Sequence, residues 1–142
     1  MDSVSLRVLK SVAKHRELSL RECAAMLPKK TNDHLDFYPL ASLIKRGLVD
    51  LYMTMNGDQL SKINEMELAI SIHCHLESEK GVTEYLGRRF SGGSFGDEKV
   101  FATANGYFAL DEMQSKSKER LWAILIGTFT AIVAATIKGV VG

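Results

Sequence analysis

The residues best suited to chemistry in this chain are His73-Cys74-His75, which place two imidazoles around a thiol. On a strand the two histidines would share a face, whereas on a helix they would point almost opposite ways. A metal needs further ligands, and His15, Cys23, His34 or Glu77 could supply them only through the fold. A surface or packing role is therefore expected, with no metal and no cofactor. Gly92, Gly93 and Gly96, inside Ser91–Asp97, have the composition of a phosphate loop. They lack the Gly-Lys-Ser/Thr ending and the strand-to-helix setting that would cradle a phosphate, so a loop tip is expected. No Ser/His/Asp arrangement is identifiable, and the chain is not expected to be an enzyme. Cys23 and Cys74 are far apart and lack metal or redox spacing, as in a reduced cytosolic domain.

The elements that would position these residues can be traced from the N-terminus. Ser3 to His15 carries Leu6, Leu9, Val12 and Ala13 on one side and reads as an amphipathic helix. Ser19 with Glu22 forms a capping box, and Leu18 with Cys23 a hydrophobic staple, for a helix over 20–27 that Pro28 stops. Pro39 opens a third helix that Gly47 closes, and 48–53 reads as a strand. The stretch 65–77 alternates with a strand's period of two. Asn64 and Glu67 have capping spacing, however, and its Glu, Met, Leu and Ala favour helix, so helix is expected. Residues 82–90 and 98–102 flank the glycine-rich run and predict a hairpin with its tip there. Thr103 is placed to cap a final helix.

Three short helices entering a strand through Leu43-Ile-Lys-Arg-Gly-Leu-Val49 resemble the winged-helix family. Thr103, Gly106 and Leu110 match the Thr-x-x-Gly-x-x-x-Leu that closes many such domains. Together with Asp36-Phe-Tyr-Pro-Leu-Ala-Ser-Leu43, Phe101–Glu112 and a terminal apolar run, the pattern resembles bacterial and prophage-associated membrane-anchored winged-helix proteins. The resemblance implies an α+β winged helix-turn-helix domain over 1–113, followed by one C-terminal transmembrane helix. Within it, 56–81 would be a helical insertion ahead of a wing hairpin at 82–102. It brings no established activity. DNA binding, the family's default, would fall to Ser42, Lys45 and Arg46 on the third helix. Lys29, Lys30, Arg88 and Arg89 would grip backbone phosphate. Asp33 and Asp36 precede that helix and would repel phosphate, so a protein partner for the same scaffold is weighed above DNA.

The tail is the other informative stretch. Leu121 to Ile137 is seventeen residues without a charge, and Leu121 to Val141 would reach roughly 31 Å as a helix. Residues 114–120 form a basic juxtamembrane segment. Lys116, Lys118 and Arg120 with Trp122 sit at one expected interface, and Lys138 can snorkel at the other. No signal-peptide pattern follows Asp2, so targeting is expected from this end. The positive-inside bias then places the soluble domain in the cytoplasm, anchored to the inner membrane by 121–142. Ala123, Gly127, Ala131, Ala135 and Gly139 stand four apart, a small-residue stripe suited to self-association, with hydroxyls from Thr128, Thr130 and Thr136.

Charge is uneven along the chain. Residues 1–60 carry a net +2, 61–115 a net −4, and the last 27 residues four bases against one acid. Two functional readings follow. One is a tail-anchored homo-oligomer that recruits a protein or DNA at the membrane. The other is a membrane-perturbing oligomeric effector of an anti-phage or toxin system, with the soluble domain as sensor or lock. Three threonines and Lys138 are a sparse lining for a water-filled pore, which favours the anchor.

Overall fold

The computed structural model describes residues 1–52, 62–77, 82–91 and 94–140; the side chains of 82, 83, 91, 94, 127 and 129–140 lie outside that description. The chain is α+β, with helices around small antiparallel sheets, and its order of elements is compatible with a winged-helix domain. Two compact units divide it, Met1–Tyr107 and Phe108–Gly142, a boundary slightly earlier than the expected one after 113.

Helix α1 (Ser3–His15) starts at Asp2, whose carboxylate accepts from the N–H groups of Val4 and Ser5 and so satisfies two orphan donors. Its buried face is Ser5, Val8, Leu9 and Val12, the i, i+3, i+4, i+7 stripe of a helix on a core. This is rotated slightly from the expected face, because Ser5, held by Asp2, substitutes for Leu6. Strand β1 (Glu17–Ser19) leads into α2 (Leu20–Ala25), where the Ser19–Glu22 capping box forms as expected. After a 3₁₀ turn (His34–Phe37), α3 (Tyr38–Lys45) carries Pro39 in its first turn.

Helix α3 ends in a Schellman motif. Gly47 N–H donates to Ile44 O at 2.9 Å and Leu48 N–H to Leu43 O at 3.0 Å, with Gly47 at φ +64°. Strand β2 (Val49–Leu51) follows directly. It pairs not with its sequence neighbour but with β5 (Lys99–Ala102), which pairs on its other side with β1. The sheet order is therefore β1-β5-β2, all antiparallel.

Between β2 and β5 lies the segment whose reading needed most correction. Helix α4 (Glu65–Glu77) is a helix, with Asn64 and Glu67 exchanging hydrogen bonds as a capping box. The alternating pattern misleads because most of this helix is enclosed. Leu68, Ala69, Ile70, Ile72, His73 and Cys74 are buried, while Met66, a member of the apparent strand face, is exposed. The expected hairpin over 82–102 does not form. β3 (Val82–Tyr85) pairs with β4 (Arg88–Ser91) around Leu86-Gly87, and β5 belongs to the other sheet. Leu86 and Gly87 both have positive φ, 50° and 71°, the signature of a type I′ turn. The glycine-rich run is no hairpin tip in its described part, since Ser94–Asp97 is a second 3₁₀ turn; Gly92 and Gly93 lie outside the described residues. Of the expected 56–81 insertion, 56–61 and 78–81 also lie outside them.

Helix α5 (Ala104–Val140) begins at a junction that ties the sheet to α3. Thr103 N–H donates to Leu48 O at 3.1 Å. Its hydroxyl donates to Gly47 O at 2.5 Å and accepts from Gly106 N–H at 3.1 Å, making it the N-cap. A Cβ on Gly106 would collide with the Leu48 carbonyl oxygen and crowd the Leu9 side chain. Gly106→Ala is therefore expected to destabilise the chain by about 1–3 kcal/mol, as overpacking against backbone does. Urea unfolding, followed by near-ultraviolet circular dichroism, checks this.

Candidate functional site

The side chains with the most distinctive surroundings gather where α4 meets the loop and 3₁₀ turn before α3. The loop bends around Asp36, which is 8% exposed and acts as an internal anchor. Its carboxylate accepts from the N–H groups of Lys30 and Thr31 at 3.0 Å each, Asn32 at 2.8 Å, and the Thr31 hydroxyl at 2.9 Å. Burial pushes its pKa up, but these donors together outweigh it and hold the carboxyl at about 2. Asp33 in turn accepts from Leu35 N–H, which starts the 3₁₀ turn, and shares the single Thr31 hydroxyl proton with Asp36.

Helix α4 is fastened to this loop and to the hairpin by imidazole and aromatic rings. The two histidines of His73-Cys74-His75 diverge, as helical geometry requires. His73, 9% exposed, lies 5.6 Å from the Phe37 ring and 4.9 Å from Tyr85. His75 faces Phe90 at 5.8 Å and Phe95 at 4.6 Å. From the loop, His34 Nδ1 is hydrogen-bonded to Tyr85 Oη at 2.9 Å. One tyrosine of the hairpin thus meets two imidazoles. No grouping of three metal-ligating side chains exists among the described residues. Both thiols are buried: burial, with the Glu22 charge behind it, pushes Cys23 up to about 12, and burial raises Cys74. Neither is poised as a nucleophile.

The seven expected nucleic-acid contacts lie on three separate elements. Lys29 and Lys30 belong to the loop, Ser42, Lys45 and Arg46 to α3 and its cap, Arg88 and Arg89 to β4. Helix α3 packs against α1, α4, β2 and the preceding 3₁₀ turn, which leaves Ser42 half-buried and Lys45 and Arg46 exposed at its end. Arg88 lies 3.7 Å from Glu67 of α4, and Arg89 stands opposite Glu84 in the hairpin register. Acidic partners therefore accompany both arginines. What sequence reasoning missed was α4 lying on α3; a short helix with a heavily apolar successor was the available signal.

The C-terminal unit presents a different surface. Leu121, Trp122, Ile124, Leu125 and Ile126 are 59–66% exposed. At about 100° per residue they occupy one broad arc, leaving the remainder to Ala123 and Gly127. Thr128 donates its hydroxyl to Ile124 O at 2.6 Å, so it needs no water. Lys116 pairs with Glu112 at 2.7 Å, while Lys118 and Arg120 are exposed. Among the described residues no helix is long and apolar enough to cross a membrane. Most of the expected span falls beyond that description: the side chains of Gly127, Ala131, Ala135, Lys138 and Gly139, and all of 141–142.

The buried imidazoles give the domain a pH dependence whose sign is fixed. Burial holds His73 and His75 below the ordinary histidine value of 6.5. For His73, Glu77, Asp33 and Asp36 oppose that shift and His34 adds to it. The unfolded chain then binds more protons than the folded one in mild acid, so stability is fully present above pH 6.5 and declines below it. The unfolding midpoint should fall as pH drops from neutral through that value, and His73→Phe should flatten the decline. Thermal denaturation across the range measures both.

Comparison with known proteins gives no matching family model, no matching curated protein and no matching solved structure.

Proposed function

We propose that this chain is a non-enzymatic, tail-anchored winged-helix protein. Its C-terminal helix spans the inner membrane and pairs with a second copy, and its cytoplasmic domain recruits a protein partner. The observation that carries the reading is the apolar girdle of α5, where five large side chains from Leu121 to Ile126 are all more than half exposed. Exposed singly such residues are ordinary; packed into six consecutive positions with no polar side chain among them, they call for lipid or another helix. The internally bonded Thr128 hydroxyl suits the same environment, and exposed Lys118 and Arg120 with Trp122 suit its boundary.

A protein partner is favoured over DNA by the packing of α3. A major-groove reader needs one helix face free along its length, and α3 has neighbours on most sides. The charge near it is mixed, with Asp33, Glu67 and Glu84 among the bases, where phosphate binding wants an unbroken basic stripe.

The test is cellular. The full chain should remain with membranes after carbonate extraction, and removal of 121–142 should release it. Gly127→Leu with Ala131→Leu should leave the chain in the membrane fraction while abolishing crosslinked dimers. Unchanged crosslinking in that double variant would remove the stripe as an interface, and release of the full chain by carbonate would remove the span.

A further inference from the structure

Beside the ring cluster, a shallow notch opens between the loop and α4, lined by Lys29, Asn32, Asp36, Phe37, His73 and Glu77. His73 is the unusual member. More than nine-tenths buried, it makes ring contacts with Phe37 and Tyr85 but no hydrogen bond to any described residue. A buried imidazole normally finds a partner for its ring nitrogens. The His73 nitrogens are not sealed from solvent, and the ring lines the notch, where water or a ligand can meet it.

The chemistry of the lining narrows what that partner is. Two carboxylates, Asp36 and Glu77, line the notch against one cation, Lys29, and Asp33 adds to the negative field at His73. Asp36 has its oxygens committed to backbone and hydroxyl donors, so it supplies negative potential rather than a free acceptor. Glu77 differs: it is exposed, and its carboxylate makes no hydrogen bond or ion pair with any described residue. It sits one helical turn beyond His73, on the same face. The notch therefore offers a carboxylate and an imidazole nitrogen side by side, an aromatic wall in Phe37, and a net negative field. An anion is repelled, and a metal finds no third ligand among the described residues. A planar, weakly hydrated guanidinium meets every feature: it can donate to both acceptors and lie against the ring.

We propose that this notch receives an arginine side chain presented by a partner protein. The proposal rests on the reading of the domain as a protein-recruiting module and names the chemistry of the partner. A neutral imidazole is an acceptor, and burial keeps His73 neutral at pH 7. The arginine inserts beside α4, donates to the Glu77 carboxylate, and takes the place of water at the His73 ring.

The experiment uses the full chain in lipid nanodiscs, with isotope-labelled histidine, titrated with N-ethylguanidinium chloride. The His73 ring resonance should shift saturably in the millimolar range while that of His15 stays in place. Ethylammonium should act several-fold more weakly, and sodium acetate should have no effect. Glu77→Gln, at the exposed end of α4, should weaken the response about tenfold, the worth of one hydrogen bond to a charged group. Lys29→Ala should strengthen it. A His73 resonance indifferent to ethylguanidinium, an equal or larger response to ethylammonium or acetate, or an unchanged affinity in Glu77→Gln would each overturn the assignment. The probe requires neither a partner nor pairing of the tails. Loss of crosslinking or of membrane retention therefore bears on the assembly reading alone, and a silent His73 bears on the notch alone.

Discussion

The fold depends on the meeting of Gly47, Leu48, Thr103 and Gly106. Helix α3 ends there in a left-handed glycine, β2 leaves from there, β5 arrives there, and α5 starts there. Thr103 bonds at once to the end of α3 and to the first turn of α5, through both its N–H and its hydroxyl. The absence of a side chain on Gly106 permits the approach of α5 to Leu48. Because these contacts join residues 56 positions apart in the chain, they close the sheet around whatever lies between β2 and β5. The intervening segment can therefore be elaborated without disturbing the three-stranded sheet. Helix α4 and the β3–β4 hairpin occupy that freedom.

Local chemistry was readable and non-local pairing was not. The Ser19–Glu22 box, the Pro39 entry, the Gly47 exit and the Asn64–Glu67 cap all depend on residues within a few positions of each other, and each forms. The partner of β5 depends on topology, which the spacing of 82–102 could not disclose. A glycine-rich run drew the hairpin tip to 92–96, whereas the turn uses Leu86 in a left-handed conformation that few sequences would suggest. Asp36 illustrates the same divide. It read as a charge repelling phosphate near a recognition helix, and it is instead the buried post around which the loop is wound. Of the notch, His73 and Glu77 were noticed for other chemistry, Phe37 only within the Asp36–Leu43 stretch that carries the resemblance, and Asn32 carried no signal.

The rings around Tyr85 explain why an insertion of this kind holds its place. Helix α4 buries aliphatic side chains on α3, but its lateral position is set by His73 and His75 against Phe37, Phe90 and Phe95. Imidazoles are small enough to sit among aromatic rings and polar enough to respond to protons. The same groups that seat the helix also make the seat conditional on acidity, and one of them borders the notch.

The strands at the two edges of the sheet, β1 and β2, are each three residues long. An unpaired edge is a template for another chain. Three residues offer too few backbone groups to hold a foreign strand, and α1 and α2 take the chain away on either side of β1. Edges this short make the sheet a poor template for polymerisation.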